Sequence, residues 1–238
     1  MTAALVEIYS GLWMRRQHPR RALSDFRLIA LDMDSTLITI ECIDELADVA
    51  GKRTQVAAIT EAAMRGEITD FRDSLMRRLA LLAGLPERAL EQVYLERLQL
   101  SPGAPALLQA CRRAGLKTLL VSGGFTFFAE RLRERLTLDF VRSNALEVRD
   151  GCLTGRVLKQ SWGDVCDGAL KRATLLDVCS LLGVSPAQAI AVGDGSNDIP
   201  MLQAAGLAVA FHAKPNVRQA AEVAIDSGGL ERLLDVLT

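Results

Sequence analysis

Hydrophobic positions follow two rhythms along this chain. Short apolar runs stand at Leu28 to Asp32, Lys117 to Val121, Ala189 to Val192, Leu207 to Phe211 and Val223 to Ile225. Runs of this kind predict strands buried on both faces, which have no polar side to show. Between them lie stripes of period three to four, which predict short helices. Ile43, Leu46, Ala47 and Ala50 recur at that spacing before Gly51; Val56 to Met64 precede Gly66; and Thr69 leads into Phe71, Leu75, Leu79 and Leu82 before Gly84. Further helices are predicted from Pro105 to Ala114, Phe127 to Leu136, Ala169 to Leu182 and Ile199 to Ala205. Asp150-Gly151, between Ala145 to Val148 and Cys152 to Val157, reads as a hairpin turn.

Alternating buried strands and helices predict an α/β, Rossmann-like fold: a mainly parallel sheet with helices on both faces. The helical stretch after the first strand predicts an inserted helical cap. The expected boundaries are an N-terminal extension at 1–27, a core at 28–42 and 101–238, and a cap at 43–100. Ligands of such sheets sit at the carboxyl ends of the strands. Three predicted strands end there in polar or glycine-rich clusters, at Asp32, Ser122 and Asp194.

Composition narrows the function. The chain has 238 residues, 50% hydrophobic and 24% charged, enough for a substantial core and unlike a disordered or fibrous chain. Its 28 Lys and Arg against 29 Asp and Glu leave a net charge of −1, without the basic excess of a protein that grips nucleic acid. The expected partner is a small molecule. Five scattered cysteines, with no C-x-x-C pair, predict reduced thiols in a cytoplasmic protein. No apolar run approaches the ~20 residues of a membrane helix. At the N-terminus Arg15, Arg16, Arg20 and Arg21 follow the apolar piece, the reverse of a signal peptide's order. His18 and His212 have no metal-like spacing.

Each cluster has more than one reading on its own. Asp32 and Asp34 could be a solvated turn, or a pair in which the first attacks an electrophile and the second moves protons. Carboxylates so close call for a cation between them, and a hard, oxygen-seeking ion such as Mg²⁺ fits. Ser122-Gly123-Gly124 offers a hydroxyl and a backbone that an anion can approach, or simply a glycine turn before a helix. Asp194 and Asp198 could join the metal site, or Asp198 could cap the helix that follows. Lys171 alone is a solvated helix residue. Beside the other three clusters it is the cation that a phosphoryl group needs.

The strings LDMDSTLITIECIDELADVAG, VSGGFTFFAERL and AVGDGSNDIPMLQAAGLAVAFHAKP carry a resemblance to a known family. The chain resembles the haloacid dehalogenase superfamily of aspartate-nucleophile phosphatases, and within it the members that act on phosphoserine. The likeness runs from about Leu28 to the C-terminus. It implies hydrolysis of O-phospho-L-serine to L-serine and phosphate, the last step of serine biosynthesis, through an aspartyl-phosphate. Asp32 would be the nucleophile and Asp34 the acid and then the base. Asp32, Asp194 and the backbone carbonyl of Asp34 would bind Mg²⁺, with Asp198 in a second layer. Ser122, Lys171 and Gly123 would hold the phosphoryl oxygens, with Asn197 nearby. In the cap, Glu41 would meet the substrate ammonium, Arg78 its carboxylate, and Met64 and Phe71 would close the pocket.

Two departures stand in the cap. The segment between Met64 and Phe71 is one residue longer than in some members, and Met76 occupies a place where a basic residue is common. Residues 1–27 are too short for the amino-acid-sensing domain of larger members, so feedback regulation of that kind is not expected. The expected partner is a phosphate ester, with no nucleic acid and no membrane, and a homodimer is left open. A related phosphatase or phosphotransferase acting on phosphohomoserine or another small ester is the nearest alternative. A signalling module phosphorylated on aspartate is a more distant one, which Asp34 argues against because a built-in acid and base favours turnover.

Overall fold

A computed structural model of the chain describes residues 4–15 and 21–237. Arg16, His18 and Arg20 of the expected N-terminal extension lie outside the described residues. In chain order the strands are β1 (Leu5–Tyr9), β2 (Leu12–Arg15), β3 (Leu28–Leu31), β4 (Lys117–Phe125), β5 (Phe140–Asn144), β6 (Leu146–Arg149), β7 (Cys152–Val157), β8 (Ala189–Gly193), β9 (Leu207–Phe211) and β10 (Val223–Ile225). The helices are α1 (Cys42–Val49), α2 (Arg53–Met64), α3 (Phe71–Ala80), α4 (Arg88–Glu96), α5 (Ala104–Arg113), α6 (Thr126–Leu136), α7 (Gly168–Leu182), α8 (Ile199–Ala204) and α9 (Pro215–Ala220).

Eight strands form one sheet in the order β1-β2-β10-β9-β8-β3-β4-β5, parallel from β10 to β5. Side chains alternate across a strand with period two, and the sequence uses that alternation to make two unlike faces. Ile29, Leu31, Ile190, Val192, Val209 and Phe211 pack on one face with α1, α5 and α6. Ala30, Ala189, Ala191, Ala208 and Ala210 line the other, where small side chains seat α7, α8 and α9. Helices therefore cover both faces of a mainly parallel sheet. Its strand ends converge because β3 pairs with β4 on one side and β8 on the other.

Several elements differ from the sequence reading. The N-terminal segment adds an antiparallel hairpin, β1–β2, to the sheet by pairing β2 with β10. Strand β4 does not stop at Val121. It continues to Phe125, and its register with β5 shifts between Val121 and Phe125, so Ser122-Gly123-Gly124 lies inside an irregular strand end. Strand β5 escaped the pattern because Arg142, Ser143 and Asn144 break its apolar run. The hairpin β6–β7, expected within the core, bonds to the cap instead: Gly84 N–H to Leu153 O at 2.8 Å, Leu153 N–H to Leu85 O at 2.8 Å and Glu87 N–H to Gly151 O at 2.9 Å. Helices α1 to α4 form that cap. Among the described residues no helix is long and apolar enough to cross a membrane.

Candidate active site

The loop after β3 carries four polar side chains, Asp32, Asp34, Ser35 and Thr36. Asp32 is extended, its N–H bonded to Val192 O at 3.0 Å, so its carboxylate leaves the sheet between β3 and β8. A wide turn over Met33–Leu37 follows, closed by Ile38 N–H to Met33 O at 3.0 Å. Within it Asp34 is extended and Ser35 is left-handed, at φ 54° and ψ 3°. The kink sends neighbouring side chains to different partners. Asp34 Oδ1 accepts the Cys42 N–H at 3.0 Å, the Ser35 hydroxyl donates to Glu41 Oε1 at 2.6 Å, and the Thr36 hydroxyl donates to Asp194 Oδ1 at 3.2 Å.

Lys171 is the centre of charge. Asp167 caps α7 through Leu170 N–H at 2.8 Å, which sets the first turn so that Lys171 points inward. Its ammonium is 0% exposed and lies 2.7 Å from Asp32 Oδ1 and 2.6 Å from Asp198 Oδ1. Asp198 Oδ2 accepts the N–H groups of Asp194 at 3.2 Å and Gly195 at 3.0 Å. Asp198 thus turns inward to the lysine and the Asp194 loop and makes no side-chain cap bond to α8. Burial alone would lower the Lys171 ammonium, but Asp198 and Asp32 raise it, and it stays charged. Burial and the Asp198 charge push Asp32 well above the usual carboxylate range, against the pull of Lys171. Burial and Asp198 likewise push Asp194 up to about 7, and burial with the Glu41 charge pushes Asp34 up to about 7.

Carboxylate oxygens of Asp32, Asp194 and Asp198 lie within 4.8 Å of one another, an arrangement that could hold a metal ion. The donor set fits a hard divalent cation. Asp32 and Asp198 share the buried Lys171, and Asp198 is also committed to two N–H groups. Asp32 and Asp194 are the carboxylates left with capacity for a cation.

On the other side of β3, Ser122 is buried and its Oγ accepts the Gly124 N–H at 2.8 Å. The two glycines leave room for side chains that reach in from the loop and the cap. A Cβ on Gly124 would come within 2.5 Å of Asp34 Oδ2, and one on Gly123 within 2.8 Å of Phe71 Cζ. Asn144, 0% exposed, braces this loop by donating to Gly123 O at 2.7 Å and accepting Cys166 N–H at 2.8 Å.

Core and cap enclose a cavity of about 590 Å³ lined by Asp32, Asp34, Ser122, Gly123, Asp194 and Asn197 on one side and Glu41, Met64, Phe71 and Arg78 on the other. Lys171 stands behind this wall, reaching the cavity through Asp32. Arg78 is half-buried, and its Nε donates to Ser74 O at 3.3 Å. Burial lowers its guanidinium while Asp44, Glu41 and Asp34 oppose that. Glu41, on the cleft wall, is raised by loss of solvent against the Ser35 bond. Met64 lines the mouth but is 64% exposed, whereas Phe71 reaches down to Gly123.

Ser35, Thr36, Asp44 and Asn144 also take part, though the sequence reading gave them no role. Ser35 and Thr36 stood in plain view in the DMDST string. Asn144 left no signal, because it sits in the strand the hydrophobic pattern missed.

The haloacid dehalogenase-like hydrolase family model matches residues 29–203. A phosphoserine phosphatase of Polaromonas sp. is 60% identical over 231 residues, covering 97% of this chain and 98% of that one. Among solved structures, a substrate-bound phosphoserine phosphatase complex superposes with a TM-score of 0.82 at 36% identity, covering 90% of this chain and 99% of that one. A phosphoserine phosphatase solved as an analogue of its phospho-aspartyl intermediate gives the same TM-score, identity and coverage.

Proposed function

The chain belongs to the haloacid dehalogenase-like hydrolase family, and from that premise we propose that it hydrolyses O-phospho-L-serine to L-serine and phosphate through a phosphoaspartate on Asp32. The observation that carries this reading is one cavity whose core wall holds Asp32, Asp34, Ser122 and Asp194, while its cap wall presents Glu41 and Arg78. The core wall suits a phosphoryl group, and the cap wall suits an ammonium and a carboxylate.

In the first half-reaction a carboxylate oxygen of Asp32 attacks phosphorus and the bond from phosphorus to the serine oxygen breaks. Asp34 donates its proton to that departing oxygen. A carboxyl pushed up to about 7 is protonated often enough to do so near neutrality. In the second half-reaction Asp34, now ionised, takes a proton from water. The water oxygen bonds to phosphorus, the bond to Asp32 breaks, and phosphate leaves. Ser122 and the backbone N–H of Gly123 bind phosphoryl oxygens, and Lys171 holds Asp32 oriented while balancing its charge.

Asp32 and Asp194, with the Asp34 carbonyl, would hold Mg²⁺, which supplies positive charge against the phosphoryl oxygens when bound. Glu41 orients the substrate ammonium and Arg78 binds the carboxylate through its planar fork. Phe71 excludes water above Gly123. Five unpaired cysteines accord with a reducing, cytoplasmic setting, and the product suits serine biosynthesis.

The test is phosphate release from O-phospho-L-serine, O-phosphohomoserine and p-nitrophenyl phosphate, each with and without Mg²⁺. The expected result is Mg²⁺-dependent turnover with the highest kcat/KM on phosphoserine. A higher value on phosphohomoserine would reassign the substrate, and no release from any ester would overturn the reading.

A further inference from the structure

Ser35 occupies an unusual place in the loop between the two catalytic carboxylate positions and the cap. Its backbone is left-handed, at φ 54°, a conformation that residues other than glycine adopt only sparingly and at some cost. Its N–H closes the turn on Ile40 O at 3.2 Å, which brings residue 41 back over the loop. The hydroxyl then donates to Glu41 Oε1 at 2.6 Å, a short bond typical of a charged acceptor. Both side chains line the cavity. Glu41 has no ion pair within 4.0 Å among the described residues, so this hydroxyl is its one close partner there.

From this juxtaposition we propose that Ser35 is a positioning residue for substrate selection, fixing the Glu41 carboxylate so that it meets the ammonium of an amino-acid phosphate. The inference rests on the functional reading above and extends it to a residue with no contact of its own to the reacting atoms. A free glutamate would sample several rotamers and lose entropy on binding. The Ser35 bond selects one beforehand. Because Ser35 directly follows Asp34, the same short loop sets both the acid that serves the phosphoryl group and the anion that reads the ammonium.

Steady-state kinetics of the full chain with Mg²⁺ test this on phosphoserine, on O-phosphoethanolamine, which keeps the ammonium without the carboxylate, and on p-nitrophenyl phosphate, which has neither. Ser35→Ala removes the hydroxyl and retains the left-handed backbone cost. Ser35→Gly removes the hydroxyl and relieves that cost, so the pair separates hydrogen bonding from strain. Both are expected to raise KM about ten-fold for the two ammonium substrates, the worth of one charge-assisted bond. The kcat/KM loss on these substrates should exceed the loss on p-nitrophenyl phosphate by about the same factor. In a Glu41→Gln background, Ser35→Ala should add little further loss on phosphoserine.

Rescue by glycine would assign the effect to the backbone and overturn the proposal. Equal losses on all three substrates would do the same by placing Ser35 in the phosphoryl chemistry. Active wild type with an impaired Glu41→Gln but a normal Ser35→Ala would sink the proposal and leave the function standing. A wild type inactive on phosphoserine would sink both.

Discussion

On the sheet side of the cleft the charged groups are already engaged with one another. Lys171 lies between Asp32 and Asp198 at 2.7 and 2.6 Å, Asp198 accepts two backbone N–H groups, and Asp194 accepts the Thr36 hydroxyl. On the cap side they are not. Among the described residues Arg78 has one hydrogen bond, at 3.3 Å, Asp44 Oδ1 is buried without any, and Met64 stands largely in solvent. The contrast follows from what each wall must do. Phosphoryl transfer needs charge fixed in advance, since reorganising it would add to the barrier. Recognition of an amino acid needs groups whose strongest partners arrive with the substrate. Glu41 stands between the two regimes, in the cap wall but bonded to the core loop through Ser35.

The largest effect should come from breaking the sheet side at its reactive atom. Asp32→Asn is expected to lower kcat on the order of 10³-fold or more on every phosphate ester, with a melting curve close to the parent's. Substantial turnover in that variant would remove Asp32 from the chemistry. Lys171→Met comes next. It leaves Asp32 and Asp198 buried without their cation, and loss of one partner in such a network costs about 3–5 kcal/mol. Thermal unfolding should report that loss beside the loss of activity; an unchanged Tm would show that the lysine does not hold the sheet side together.

A smaller effect sharpens the same comparison through pH. Asp34 and Asp194 are pushed up to about 7 when folded, above their unfolded values near 4. Stability from a raised carboxyl is full below the unfolded pKa and lost as pH rises through the folded one. Chelator-treated protein should therefore melt lower at pH 8 than at pH 6, by about 2–4 °C for each kcal/mol lost. Mg²⁺ should restore most of the difference. A Tm that rises with pH in the metal-free protein would contradict the charge crowding described for the sheet side.

The same division explains what could be read from the sequence. Five of the six parallel strands were legible because burial on both faces writes unbroken apolar runs, and the polar or glycine-rich clusters at Asp32, Ser122 and Asp194 that interrupt those runs pointed to the site. Lys171 gave no such mark, since a lysine on a helix is ordinarily solvated; only its meeting with Asp32 and Asp198 makes it central. Strand β5 was hidden because Arg142, Ser143 and Asn144 are polar for tertiary reasons, among them the Asn144 brace on Gly123. The hairpin β6–β7 was visible as a hairpin, but its attachment to Gly84 and Leu85 depends on backbone bonds between distant segments. No local pattern records those.

We propose that the sheet side performs the chemistry and the cap side chooses the substrate. Arg78→Ala, measured on O-phospho-L-serine and p-nitrophenyl phosphate under identical Mg²⁺, tests it most directly. The expected result is a kcat/KM loss on phosphoserine of about 2 kcal/mol or more, roughly 30-fold, and a much smaller loss on the uncharged ester. Equal losses on the two substrates would contradict it.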